Sequence, residues 1–180
     1  MNRPQTFHPF ARVLHWLMAA MILAMLFVGA GMVSTVETKH DWLLAIHKPL
    51  GITIFVLALV RLGFRLTHPA PPLPADMPAW QKLVAHASHW LLYGLMIAMP
   101  LIGWGMLSAG NYPVTLGGGL LLPPILPTDA LLFAWLREAH RYVAWLFFLT
   151  FLLHMGAALM HGLIRRDGVL QSMTGGRTDP

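Results

Sequence analysis

Four long apolar segments dominate the sequence and set what it can fold into. They run from about residues 10–33, 43–66, 83–107 and 131–164. Because an α-helix rises about 1.5 Å per residue, each segment can cross the roughly 30 Å hydrocarbon core of a bilayer. Only 11% of the 180 residues are charged, against about 25% in soluble domains. The pattern predicts an all-α integral membrane protein in which residues 1–180 form one four-helix bundle.

The first segment shares some features with a cleaved signal peptide, namely a basic start and small residues near Gly29. Its apolar stretch is longer than the core of about 7–15 residues that is typical of a signal peptide. It also carries His15, one of four histidines that we expect to lie in pairs inside the membrane. We therefore expect a retained helix.

Two connections between the segments differ in composition. Residues 67–78 hold five prolines, which predicts an extended connection on the surface because proline does not fit a helix interior. Residues 108–129 combine glycine and proline with several leucines. We expect this second connection to lie against the membrane surface or to cap the bundle.

The basic residues are distributed unevenly between the two ends of the predicted bundle. The end with both termini and the proline-rich connection has eight of the twelve lysines and arginines: Arg3, Arg12, Arg61, Arg65, Lys82, Arg165, Arg166 and Arg177. The other end has Lys39, Lys48, Arg137 and Arg141. Cytoplasmic loops are enriched in lysine and arginine, so we expect both termini and the proline-rich connection on the cytoplasmic side of the membrane. This topology accounts for the formal charge of +5, and no nucleic-acid partner is expected.

The chain contains no cysteine but ten histidines. The lack of cysteine excludes thiol catalysis, iron–sulfur clusters and covalent attachment of a c-type heme. A histidine inside a membrane span is rare and by default marks a functional site. The histidines are therefore the residues that a functional interpretation must explain.

Four histidines form two pairs at two depths in the predicted membrane. His140 and His154 are fourteen residues apart on the fourth segment, a spacing that advances about 21 Å and returns to within about 40° of the same helix face. His47 lies at the depth of His140, and His15 lies at the depth of His154. Two imidazoles at one depth can close both axial positions of a heme iron, so the spacing predicts two b-type hemes inside the bundle.

Two other interpretations of these histidines stay open. A membrane histidine can serve only as a hydrogen-bonding contact between helices. A zinc or copper carrier is the other, although such a site gathers its ligands at one depth and usually adds carboxylates or cysteines. The span interiors here hold neither Asp nor Glu.

Small residues close to two of the histidines, Gly51 and Gly156, would let a flat cofactor approach the helices.

Further basic residues flank the two pairs. Near the cytoplasmic pair, three arginines either anchor helix ends or pair with heme propionates; they are Arg12, Arg61 and Arg65. Near the outer pair, three cations either bind propionates or form a positive mouth that draws an anionic substrate; they are Lys48, Arg137 and Arg141. Three histidines are candidates for a quinone site, for propionate contacts or for ordinary headgroup contacts; they are His86, His89 and His161.

Five motifs resemble the bacterial cytochrome b561 family over nearly the whole chain. The first two are RVLHWLMA at the start of helix one and AIHKPLGI at the start of helix two. VRLGFRLTHPAPP closes helix two, and AHASHWLLYGLMIAMPLIGW forms helix three. AHRYVAWLFFLTFLLHMGAALMH lies on helix four. Each motif is weak alone, whereas their order and spacing together are specific.

The resemblance implies a function and roles for individual residues. Within the family the chain is similar to short di-heme membrane superoxide oxidases, which pass electrons from periplasmic superoxide through two hemes to ubiquinone. Carried over by position, it makes His15, His47, His140 and His154 the axial ligands, and it suggests His161 and His89 for the quinone site. The rival expectation is a membrane-anchor cytochrome b subunit that exchanges electrons between a partner dehydrogenase or hydrogenase and the quinone pool.

Overall fold

The computed structural model describes residues 6–36 and 38–175. Arg3 and Arg177, which contribute to the predicted topology, lie outside these ranges. Four long helices follow one another along the chain: α1 (Pro9–Ser34), α2 (Thr38–Thr67), α3 (Ala79–Ala109) and α4 (Ala130–Leu159). All four are long and apolar enough to cross a membrane. The prediction of an all-α membrane bundle is confirmed.

Four short elements complete the described fold. Two strands, β1 (Val114–Thr115) and β2 (Leu121–Leu122), pair antiparallel in the connection between α3 and α4. A π-helical segment, Met160–Arg165, continues α4, and a single turn, α5 (Gln171–Thr174), follows it. We call the end of the bundle with α5 and the start of α1 the terminal end, and the opposite end the hairpin end.

Two helices begin earlier than the apolar segments predict. Helix α2 starts at Thr38 and α3 at Ala79, each several residues before the corresponding apolar run. Hydropathy marks the part of a helix inside hydrocarbon, whereas polar residues extend the helix into the interface. In α2, Asp41 lies in the first turn, where a carboxylate favours the positive end of the helix dipole.

The helices pack in sequence order, α1 on α2, α2 on α3 and α3 on α4. The buried centre is a single apolar cluster of Leu14, Met18, Ile22, Ile54, Ala58, Leu95, Met96 and Phe147. Many other apolar side chains face outward, such as Phe27, which is 72% exposed. Outward-facing apolar side chains are what a bundle surrounded by lipid tails requires.

The connection between α3 and α4 is bonded to the hairpin end of the bundle. Trp104 Nε1 donates to the carbonyl of Pro123 at 2.9 Å. Buried Ser108 accepts a hydrogen bond from the amide of Ile125 and donates to the carbonyl of Trp104. These contacts hold the connection, including its β-hairpin, against α3.

The last described residues fold back onto the start of α1. The amide of Phe7 donates to the carbonyl of Ser172, and Trp16 Nε1 donates to the carbonyl of Met173, both at 3.1 Å. We call residues 166–175 the C-terminal hook. It covers the terminal end of the bundle beside the residue that follows His15.

Candidate functional site

At the terminal end, His15 of α1 and His154 of α4 face each other. Their ring centroids are 6.3 Å apart, and their ring planes make an angle of 73°. Each side chain is half-buried. Helix α1 starts at Pro9, where the side chain of His8 accepts from the amide of Phe10, so His15 lies in the second turn of α1.

At the hairpin end, His47 of α2 and His140 of α4 form a second pair. Their ring centroids are 6.1 Å apart, with an interplanar angle of 62°. Within residues 6–36 and 38–175, Nδ1 of each ring is buried and makes no hydrogen bond. An unpaired buried polar atom costs about 1–3 kcal/mol, so both rings are suited to a site that a bound group completes.

The ring of His140 rests on α3 at Gly103. A Cβ placed on Gly103 would lie 3.3 Å from Cε1 and 3.5 Å from Nδ1 of His140. Such a contact is tighter than ordinary van der Waals contact, so a side chain at this position would push the ring away. The backbone of α3 thereby sets how far the His140 ring can turn from His47.

The two separations fit a metal between paired imidazoles. An imidazole nitrogen binds a first-row metal at about 2.0–2.1 Å and lies about 1.1 Å from its ring centre, so one metal separates two opposed ring centroids by about 6.3 Å. The observed values are 6.3 and 6.1 Å. A pair of imidazoles is also a suitable donor set for the iron of a b-type heme, which needs no cysteine for attachment to the protein.

The third histidine at the terminal end is His89 of α3. Its ring centroid is 5.1 Å from that of His154, a normal distance for edge-to-face packing of two rings. Nδ1 of His89 lies 2.6 Å from the carbonyl oxygen of Ala85, so one ring nitrogen is engaged by its own helix. The structure brings His89 to the terminal pair.

His86 lies one turn before His89 and does not join the pair. Its Nδ1 lies 2.6 Å from the carbonyl oxygen of Lys82, and its side chain is exposed. With Arg65, Lys82 and residues 69–73, it lines an open cavity of about 430 Å³. The structure therefore separates two histidines that the sequence treats as equal candidates.

His161 lies in the π-helical segment, seven residues beyond His154. Its Nδ1 is 2.5 Å from Oδ2 of Asp167 in the C-terminal hook. Sequence analysis identified the histidine but missed this carboxylate. The six-residue separation crosses the end of a helix, so no helical periodicity relates the two residues.

The three arginines near the terminal pair have partners in the protein. Arg61 donates from Nη1 to the carbonyl of Ala11 at 2.8 Å. The guanidinium of Arg65 lies 5.9 Å from the centre of the Phe7 ring. Arg12 lies against Gly175 in the C-terminal hook. All three therefore link elements of the terminal end to one another, and their pairing with propionates stays a prediction.

The three cations at the hairpin end differ in their surroundings. Lys48 donates from Nζ to Thr115 Oγ1 at 3.1 Å and to the carbonyl of Pro113 at 3.4 Å, which fastens the β-hairpin to α2. Arg141 forms an ion pair with Glu138 and lies over the ring of Tyr142. Arg137 is exposed. Glu138 thus offsets part of the positive charge near His140.

The glycines that the sequence places near the histidines have little packed against them, and the approach of a flat cofactor at these positions stays a prediction. A Cβ on Gly51 would contact only Met25 among the described residues, and a Cβ on Gly156 would meet none of them within 4 Å. Gly103 is the glycine that lies against a histidine ring. Its signal in the sequence is weak, since a glycine in an apolar helix gives no information about which neighbour it faces.

Comparison with known proteins agrees with this architecture. The profile of the family described as prokaryotic cytochrome b561 matches residues 6–176. Cytochrome b561 homolog 2 of Escherichia coli (strain K12) is 28% identical over 178 residues, which cover 97% of this chain and 94% of the relative. The probable superoxide oxidase CybB of Yersinia pestis is 32% identical over 138 residues, which cover 76% and 77% of the two chains. The chain belongs to the prokaryotic cytochrome b561 family. It is therefore a bacterial membrane protein that binds b-type heme and transfers electrons.

Proposed function

We propose that this protein oxidises superoxide on the periplasmic side of the inner membrane and reduces ubiquinone on the cytoplasmic side. The observation that carries the proposal is the presence of two histidine pairs at opposite ends of α4, with ring centroids 6.3 and 6.1 Å apart. The relative named probable superoxide oxidase supports the choice of substrate. Membrane lipid surrounds the bundle.

In this proposal His15 and His154 hold one b-type heme, and His47 and His140 hold the other. When bound, the two hemes supply one-electron redox chemistry between the two membrane surfaces. The protein contributes the imidazoles that would hold the hemes, an apolar centre and a fixed separation of the two pairs along α4. Phe147 lies seven residues from both His140 and His154 and is buried between the two pairs.

The hairpin end binds and orients superoxide. Superoxide is an anion, and positive charge at a surface raises its local concentration and its encounter rate. Arg137 is the cation with the greatest effect in this proposal, because Arg141 is paired with Glu138 and Lys48 holds the β-hairpin. All three nevertheless add to a positive field at this end.

The terminal end binds ubiquinone. His161 and His89 are the proposed contacts, and His86 is a weaker candidate because it faces the open cavity beside Arg65. Arg12, Arg61 and Arg65 are the proposed partners of heme propionates. This assignment requires both termini in the cytoplasm, which rests on the distribution of lysine and arginine.

The deciding experiment uses the purified holoprotein in detergent or nanodiscs. A xanthine–xanthine oxidase system generates superoxide, and the absorbance of reduced b-type heme is followed with and without superoxide dismutase. A soluble ubiquinone analogue is then titrated in. We expect reduction that dismutase abolishes, followed by reoxidation that saturates with quinone.

The opposite result supports the rival function. If superoxide leaves the hemes oxidised while an electron-donor dehydrogenase or hydrogenase subunit reduces them, the protein is a membrane anchor for that partner. Dithionite reduction serves as the positive control for intact hemes in both cases. The two outcomes exclude each other because superoxide reduces the hemes in the first and leaves them oxidised in the second.

A further inference from the structure

The π-helical segment and the C-terminal hook form a partly buried histidine–aspartate pair that the electron-transfer path alone does not explain. Nδ1 of His161 and Oδ2 of Asp167 are 2.5 Å apart, and both side chains are only 12% exposed. A carboxylate accepts hydrogen bonds and does not donate them. The proton between the two groups therefore belongs to Nδ1, which leaves Nε2 as the nitrogen available to a ligand.

The carboxylate of Asp167 is held from several directions. Its Oδ1 accepts from the amide of Val169 at 3.3 Å. Arg165 Nε lies 3.8 Å from Oδ2, and the same guanidinium donates to Gln81 Oε1 at 2.7 Å. Asp167 thus connects the C-terminal hook, the π-helical segment and, through Arg165, the start of α3.

The backbone around the pair is also constrained. Arg166 adopts a left-handed conformation with φ of 52°, and this turn directs residue 167 back toward His161. Leu170 packs so closely on Gly162 that a Cβ at that position would overlap its side chain. The π-helical winding of Met160–Arg165 adds to the argument, since such segments occur frequently at functional sites.

We propose that Asp167 is a positioning residue for quinone reduction, which it supports by fixing the tautomer and orientation of His161. This inference rests on the proposed function, in which His161 contacts ubiquinone. His161 lies seven residues beyond His154, so it is on nearly the same helix side about 10 Å farther toward the cytoplasm. Asp167 itself touches neither heme nor quinone in this proposal.

The proton step balances with the electron count of the proposed reaction. Two superoxide anions, each oxidised to dioxygen, supply the two electrons that convert ubiquinone to ubiquinol. For each proton, the Nε2–H bond of protonated His161 breaks and an O–H bond forms on a quinone oxygen. Cytoplasmic water then returns a proton to Nε2, while Nδ1–H stays bonded to Asp167 throughout.

The test compares Asp167→Asn with the wild-type holoprotein. The asparagine oxygen can still accept from the Val169 amide, so the hook keeps one of its contacts while the carboxylate is lost. Asp76→Asn is the matched control, because Asp76 is an exposed aspartate in the proline-rich connection at the same end. Asp167→Glu tests rescue by a second carboxylate.

Three quantities are measured on each variant. Stopped-flow absorbance gives the rate of heme reduction by superoxide and, separately, the rate at which a ubiquinone analogue reoxidises dithionite-reduced protein. Nitrogen-15 NMR of histidine-labelled, dithionite-reduced protein gives the tautomer of His161. The NMR measurement is independent of turnover, and His161→Gln identifies the signal.

We expect Asp167→Asn to slow reoxidation by quinone about tenfold or more, which is less than the roughly 10²–10⁴-fold typical of a lost acid–base group, because His161 itself remains. Heme content and reduction by superoxide should stay at the wild-type values. The NMR signal of His161 should lose its fixed Nδ1–H tautomer. Asp76→Asn should match wild type, and Asp167→Glu should recover part of the rate.

A double variant keeps the proposal falsifiable if Asp167→Asn also disturbs folding. If Asp167 acts only through His161, Asp167→Asn adds no further loss of quinone rate to His161→Gln. Additive losses, or a wild-type quinone rate in Asp167→Asn, would show that Asp167 only holds the C-terminal hook. If quinone fails to reoxidise the wild-type protein, the proposed function fails, and the inference fails with it.

Discussion

Gly103 of α3 lies so near the ring of His140 of α4 that a Cβ on Gly103 would be only 3.3 Å from Cε1 of His140. This proximity ties the orientation of a candidate heme ligand to α3, a helix that carries none of the four candidate axial histidines. A substitution on α3 can therefore displace the ring of His140 while both histidines of the outer pair, His47 and His140, stay unchanged.

Replacement of Gly103 by valine should therefore weaken binding of the outer heme. The added side chain forces the His140 ring away, and overpacking of this kind costs about 1–3 kcal/mol, which corresponds to about 5- to 150-fold weaker binding. Heme content per chain and the shape of the reduced α-band measure the effect. Gly94→Val is the control. Gly94 lies nine residues before Gly103, on the opposite side of α3, and a Cβ there would meet no described neighbour within 4 Å.

Replacement of one histidine in each pair should remove one heme at a time. We expect His47→Ala to lose the outer heme and His15→Ala to lose the other, so that the heme-to-protein ratio falls from about two to about one in each case. Pyridine hemochrome assays give the ratio. His68→Ala should retain both hemes, since His68 stacks on Phe64 outside the two pairs. Retention of both hemes in His47→Ala and His15→Ala would overturn the pairing.

Charge changes at the hairpin end should alter the rate of superoxide oxidation in opposite directions. Glu138→Gln releases Arg141 from its ion pair and should raise the second-order rate constant about twofold, whereas Arg137→Gln should lower it by a similar factor. Both effects should shrink between low and high ionic strength, because salt screens exposed charges. A rate that is independent of these substitutions at low salt would exclude electrostatic steering at this end.

Loss of the Ser108 hydroxyl should destabilise the hairpin end. The hydroxyl accepts from the Ile125 amide in a buried site, so Ser108→Ala leaves that amide unpaired at a cost of about 1–3 kcal/mol. Thermal unfolding in detergent measures the loss. Ser34→Ala should change stability by less than about 0.5 kcal/mol, because the exposed hydroxyl of Ser34 bonds only carbonyls of its own helix.

The helices and the histidine pairs could be predicted from the sequence because each depends on a pattern within one continuous segment. Apolar length reports directly on the bilayer, and the fourteen-residue spacing of His140 and His154 reports on one helix face. Both are properties of a single continuous segment. The structure brings together the same two pairs that depth in the membrane predicted.

Other features depend on contacts between segments that share no periodicity. The proximity of Gly103 to His140 depends on the rotation of α3 against α4, which hydropathy does not encode. Asp167 reaches His161 only because the chain turns at Arg166 with positive φ. The early start of α2 at Thr38 was missed because polar residues lengthen the helix beyond its apolar core.

Both histidine pairs include a residue of α4, and this has a consequence for biogenesis. Residues 140 and 154 lie in the last quarter of the chain, so neither pair is complete until the final helix has been synthesised and inserted. The C-terminal hook, which bonds Trp16 beside His15, is made later still. With the hemes held as proposed, cofactor capture is a late event, and the first three helices persist in the membrane without heme until the fourth helix is inserted.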